Sequence, residues 1–110
     1  MSRRRVVVTG IGAVTPLGLS FVDSWKALLS NRSGLVSLEQ ALQCRNLTQE
    51  QLDREWKIAQ TLPSQVAAPV QNFESIYSDR TTSRFVQFAL VAASEALEQA
   101  KLLDDLKQQQ

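Results

Sequence analysis

At 110 residues with 44% hydrophobic content, the chain has room for one small domain and the make-up of a globular protein. Twelve Lys plus Arg against eleven Asp plus Glu leave a net charge of +1, which gives no whole-chain attraction for nucleic acid or an anionic membrane. There is no His and a single Cys, which excludes an internal disulfide, a zinc site and any Ser–His–Asp or Cys–His nucleophile system built within these residues.

In chain order, Arg5-Val6-Val7-Val8-Thr9 predicts a strand buried on both faces, since three β-branched residues run together. Gly10 and Gly12 follow, permitting a turn or a close backbone approach that a side chain would block. Pro16 keeps Thr15 extended and stops a helix from running through this point. A short amphipathic helix is expected from about Phe21 to Ser30, with Ser20 and Asp23 in capping-box spacing. Phe21, Val22, Trp25, Leu28 and Leu29 make its apolar stripe, and Asn31 and Gly34 its stop signal.

Ser37 to Gln43 has the pattern of a turn or two of helix. Thr48 to Gln60 predicts another, with Thr48 and Gln51 as a second capping box and Leu52, Trp56 and Ala59 on one face. Gln65 to Val70 reads as an edge strand, because Pro69 cannot donate to a ladder. The strongest helix signal runs from about Thr82 to Leu102, where Phe85, Phe88, Ala89, Ala92, Ala93, Ala96, Leu97 and Ala100 recur at spacings of three and four. Alanine supplies five of those eight positions, so a neighbour can approach closely. Residues 103–110 follow with no cap, and are expected to be a frayed tail.

No apolar run reaches the ~20 residues of a membrane span. The basic Arg3-Arg4-Arg5 precedes a strand pattern in place of an apolar helical stretch, so a secretory signal is not expected. The sequons at Asn31-Arg32-Ser33 and Asn46-Leu47-Thr48 are then chance matches.

Candidate chemistry is sparse. Gly10-Ile11-Gly12 lacks the third glycine of a dinucleotide fingerprint, since Thr15 and then Pro16 stand there, so no nucleotide cofactor is expected. Cys44 lies in a polar stretch with no base beside it and reads as an ordinary surface or half-buried cysteine. Glu50, Asp53, Glu55, Asp104 and Asp105 read as solvated charge. Arg80 and Arg84 bracket the start of the long helix. From spacing alone they serve either an acidic partner or plain solubility, with Asp79 at hand for a local pair.

Arg4 through Gly18 closely resembles the opening of β-ketoacyl-acyl-carrier-protein synthases of the chain-elongating type. The resemblance continues through Trp25-Lys26-Ala27-Leu28-Leu29, Ser33-Gly34-Leu35 and Ser64-Gln65-Val66-Ala67, then through Arg80 to Leu102. It is weakest over 36–62, which would be a variable insertion, and Leu62 to Ala68 looks most like fungal mitochondrial members.

The resemblance implies an α/β chain, namely the incomplete N-terminal part of a thiolase-like layered α/β/α fold that assembles as a homodimer. It implies decarboxylative condensation of acyl and malonyl thioesters in fatty-acid elongation, with acyl carrier protein as partner and no cofactor or metal. The family's nucleophilic cysteine and its two histidines fall beyond residue 110, and Cys44 matches none of them, so this chain alone is expected to be inactive. Family members carry a basic cluster before the long helix that meets the acidic carrier protein. Arg80 matches an arginine of that cluster; Tyr77 and Thr81 stand where Lys is common, and Arg84 is expected to compensate in part. Localisation is expected to be mitochondrial, with a cytoplasmic alternative. The alternative function is a short non-catalytic product that binds a synthase or carrier protein. In isolation the chain is expected to be poorly folded or oligomeric, because the family's sheet needs strands that these residues do not supply.

Overall fold

In the computed structural model, which describes residues 2–74 and 81–104, four helices and a two-stranded sheet follow one another along the chain. The first helix, α1 (Phe21–Leu29), starts where Ser20 is extended and its hydroxyl accepts the Asp23 N–H at 3.1 Å. It stops where Asn31 turns left-handed with φ 57, a conformation that a short amide side chain tolerates. Arg32 N–H then donates back to Ala27 O at 3.0 Å, closing the last turn in the Schellman manner.

The helix buries a different face from the one its periodicity predicts. Ser24 and Ala27 are buried, whereas Val22, Trp25, Leu28 and Leu29 are all at least half exposed. The cause is the turn formed by residues 15–18, which lies directly on Ser24. Thr15 and Gly18 bond each other's backbones, and the Ser24 hydroxyl donates to Ser20 O at 2.7 Å and lies 2.6 Å from Thr15 Oγ1. Small side chains admit that close approach, and the adjacent stripe of large ones is left outward.

A second unit is local. β1 (Val36–Ser37) pairs antiparallel with β2 (Val66–Ala67), Val36 opposite Ala67 and Ser37 opposite Val66. Between them run α2 (Leu38–Gln43) and α3 (Gln49–Ala59). The expected capping box of α3 is formed in full, Thr48 and Gln51 each accepting the other's backbone N–H. Ala59 is buried and Leu52 and Trp56 are half-buried, so the expected face turns inward. Gln65 closes the unit by donating from Nε2 to Ala59 O at 3.0 Å and Leu62 O at 2.7 Å. The strand expected over 65–70 shrinks to two residues, because only β1 offers it a ladder and β1 is two residues long.

The last helix, α4 (Arg84–Gln99), is shorter than the expected Thr82–Leu102. It is interrupted after Gln99 by Lys101, which is left-handed at φ 61. None of its residues is buried, and Phe85, placed in the predicted apolar stripe, is 73% exposed. The tail expected from 103 is described only as far as Asp104.

The predicted strand at Arg5–Thr9 does not form. A strand needs a ladder partner, and among the described residues β1 and β2 pair only with each other. Val6, Val7 and Val8 are consequently exposed at 92%, 72% and 79%. Buried hydrophobic residues among those described are Ala27 and Ala59, so the layered sheet of the resemblance is not seen here; what is seen is helices with one small sheet.

Candidate functional site

Among the described residues, hydrogen bonds that span more than 70 positions of sequence lie where residues 10–21 cross α4. Ala92 and Ala96 present backbone, not bulk, to the crossing segment, and a Cβ on Gly10 or Gly12 would overlap the carbonyl oxygens of Ala96 and Ala92 respectively. Two long polar side chains on the same helix face then bond the segment's backbone. Gln99 Oε1 accepts the Ile11 N–H at 2.8 Å, and Glu95 Oε1 accepts the Ala13 N–H at 2.9 Å. The Glu95 carboxylate also accepts the N–H of Phe21, at 3.0 Å to Oε1 and 3.1 Å to Oε2.

Phe21 is the first residue of α1, so a negative group from α4 meets the positive end of α1 and satisfies one of its free donors. This junction was not among the sequence-based candidates. Its only signal is the i, i+4 pair Glu95 and Gln99 beside an alanine row.

Beside the junction, Pro16, Leu17, Phe21, Trp25, Leu28 and Leu35 are among the residues that line an apolar groove of about 560 Å³. Phe21 and Trp25 stack in it with ring centroids 6.4 Å apart. Arg32 also borders it, and its lining otherwise carries little that could act on a substrate.

Cys44 is exposed, and its thiol donates to Gln40 O at 3.3 Å. It is the C-cap residue of the six-residue α2. The end of a helix that favours anions is the N-terminus, so this position gives no dipole support to a thiolate. Glu50, Asp53 and Glu55 are exposed on α3, where Asp53 accepts from the side chain of Gln49. Among the described residues no three His, Cys, Asp or Glu side chains converge as a metal site, and no helix is long and apolar enough to cross a membrane. What the described residues assemble here can bind and orient.

Of the two arginines singled out as docking residues, Arg80 lies outside the described residues. Arg84 opens α4, and its guanidinium turns back toward the preceding chain. Nη2 donates to Val70 O at 3.0 Å, and Cζ sits 5.6 Å from the Phe73 ring centre and 5.2 Å from that of Phe88. The two arginines are thus not seen together.

Comparison with known proteins places this geometry. The chain is 36% identical over 107 residues to 3-oxoacyl-[acyl-carrier-protein] synthase 2 of Coxiella burnetii, covering 93% of this chain and 22% of that protein. It is 37% identical over 112 residues to a 3-oxoacyl-[acyl-carrier-protein] synthase homolog of Saccharomyces cerevisiae, covering 92% of this chain and 24% of the relative. It is 34% identical over 112 residues to the mitochondrial 3-oxoacyl-[acyl-carrier-protein] synthase of Arabidopsis thaliana, covering 93% and 23%. The chain therefore spans less than a quarter of the length of each of these relatives. The family model for the N-terminal domain of β-ketoacyl synthases matches residues 3–110. The chain belongs to the β-ketoacyl synthase family, matching its N-terminal domain over residues 3–110.

Proposed function

We propose that this chain is the amino-terminal part of an elongating 3-oxoacyl-[acyl-carrier-protein] synthase, which joins an acyl group to a malonyl unit with loss of carbon dioxide. The observation that carries the reading is the family match, which runs in one piece from residue 3 to residue 110. The chemistry such enzymes use is a thiolate at a helix N-terminus flanked by histidines. This chain has no His, and its one Cys ends a short helix, so the proposed role of these residues is scaffold and docking, with the reacting groups supplied elsewhere in the synthase. In the assembled layered fold, Val6–Val8 would be the buried strand that their β-branched run suits. The proposed assembly is a homodimer. The proposed compartment is mitochondrial, on the strength of the mitochondrial relative from Arabidopsis thaliana.

Condensation assayed with acyl- and malonyl-carrier protein on the product purified from its natural source tests the reading. Activity in a protein much larger than 12.3 kDa is expected. An inactive product of 12.3 kDa that co-purifies with a synthase or a carrier protein would instead establish a binding role.

Acyl carrier protein is the proposed partner, and its proposed dock is the basic stretch before and at the start of α4, with Arg80 and Arg84 as its residues. Arg80→Glu in the active synthase should slow carrier-protein association in a strongly salt-dependent way and leave turnover of small thioesters unchanged. Equal loss on both substrates would count against docking there.

A further inference from the structure

Residues 68–73 leave the small sheet and reach α4 as a strap. The β1–β2 ladder ends at Ala67, and just before it Gln65 O accepts the Leu38 N–H at 3.0 Å, so the start of the strap is fixed by backbone bonds. Pro69 has no N–H to carry a ladder further. Asn72 is left-handed at φ 56, a conformation that its short amide side chain tolerates. Pro69, Val70 and Phe73 are half-buried, while Ala68, Gln71 and Asn72 are exposed.

Side chains hold the far end of the strap. Arg84 Nη2 donates to Val70 O at 3.0 Å, and Arg84 Cζ lies 5.6 Å from the Phe73 ring centre and 5.2 Å from that of Phe88. The two rings meet edge to face, 4.7 Å apart at 82°. Phe88 stands one helical turn beyond Arg84, so the same face of α4 supplies both the cation and the ring that receive Phe73. A planar guanidinium suits a carbonyl and two rings at once; an ammonium does not. Arg84 is nevertheless exposed, so water competes for each of these contacts and the fastening can be undone.

We infer that Arg84 is a latch, which closes the strap of residues 68–73 onto the first turns of α4 and releases it when the contacts with Val70 and Phe73 are lost. Val70, Asn72 and Phe73 line, together with Arg84, Phe88 and Cys44 of α2, a cleft of about 1060 Å³, and release of the strap opens that cleft. The rest of the fold does not follow the strap, because other residues close it. Thr48 and Gln51 cap α3, Gln65 bonds its end, and Glu95 and Gln99 hold residues 10–13. A segment fastened by a few exposed contacts opens before its better-bonded neighbours.

Backbone order parameters from NMR relaxation on the full chain test the latch, read at the amides of residues 70–73 with α3 and residues 10–21 as controls. Closed, the strap should give values near about 0.85, and released it should fall below about 0.6. Arg84→Lys keeps the charge and loses the planar fork, and Phe73→Leu keeps an apolar side chain and loses the ring. Each should release residues 70–73 and leave α3 and residues 10–21 ordered. The combined variant should be no looser than either alone, since both remove one fastening. Asn72→Val puts a β-branched residue at positive φ and should release the strap as well, whereas Asn72→Gly should leave it closed.

Ordered amides at 70–73 in both Arg84→Lys and Phe73→Leu would overturn the inference, and so would low order there in the unsubstituted chain. Equal loosening of α3 or of residues 10–21 would also overturn it, because the cluster would then be part of a shared core and not a latch.

Discussion

Residues 6–8 and residues 10–13 are neighbours in sequence and opposites in circumstance. The valines have side chains suited to a sheet and no ladder partner among the described residues, and they stay almost fully exposed. The glycine segment lacks side chains at its two glycines, and its backbone is bonded to Gln99 and Glu95 while it lies against the carbonyls of Ala92 and Ala96. Hydrophobicity alone therefore does not bury a segment. What decides is whether the facing surface offers hydrogen-bond partners and room at the distance the backbone needs.

That contrast can be broken at three places. Gly12→Val puts branched carbon where the Ala92 carbonyl already sits, and should cost about 3 kcal/mol of local stability, read from amide exchange across residues 10–21. A loss under about 0.5 kcal/mol would mean that the crossing is loose enough to move aside.

Glu95→Ala removes an acceptor shared by Ala13 and Phe21 and should cost about 2 kcal/mol by the same measure. Glu95→Gln, which keeps one acceptor oxygen, should recover part of that loss. No difference between the two variants would show that the charge at the start of α1 matters more than the hydrogen bonds.

Val7→Lys should change the stability of the isolated chain by less than about 0.5 kcal/mol, because Val7 touches so little. It should also reduce self-association in sedimentation velocity, since an unpaired edge is what invites a second chain. A large destabilisation by Val7→Lys would show that the valines are already covered, and the contrast with residues 10–13 would disappear.

Legibility from sequence followed the range of the interaction. Capping residues act within four positions: Thr48, Gln51 and Asn31 do what their types and spacing predict, and Ser20 caps α1 with its own hydroxyl, although the reciprocal bond that a capping box would need from Asp23 is not seen. The stripe on α1 failed because small residues, Ser24 and Ala27, are the buried ones and Ser24 won the contact with the 15–18 turn, and periodicity weighs size in the wrong direction for such a site. The end of α4 was misjudged because Lys101 has no local signal for a left-handed residue. The Glu95 junction was missed because its partners are 74 and 82 residues away. Cys44, expected to be an ordinary surface or half-buried cysteine, is exposed, and its polar neighbours are a local fact.

By itself, the sequence determined the family, the starts of α1 and α3 and the lack of histidine in these 110 residues, since residue type and short spacing are sufficient for all three. Only the tertiary structure decided that Gly10 and Gly12 serve a close crossing over Ala92 and Ala96, that Glu95 caps α1 from another helix, and that Arg84 is held against two rings. These depend on which distant backbones meet, and a free donor or a missing Cβ acquires its meaning from whatever lies across from it.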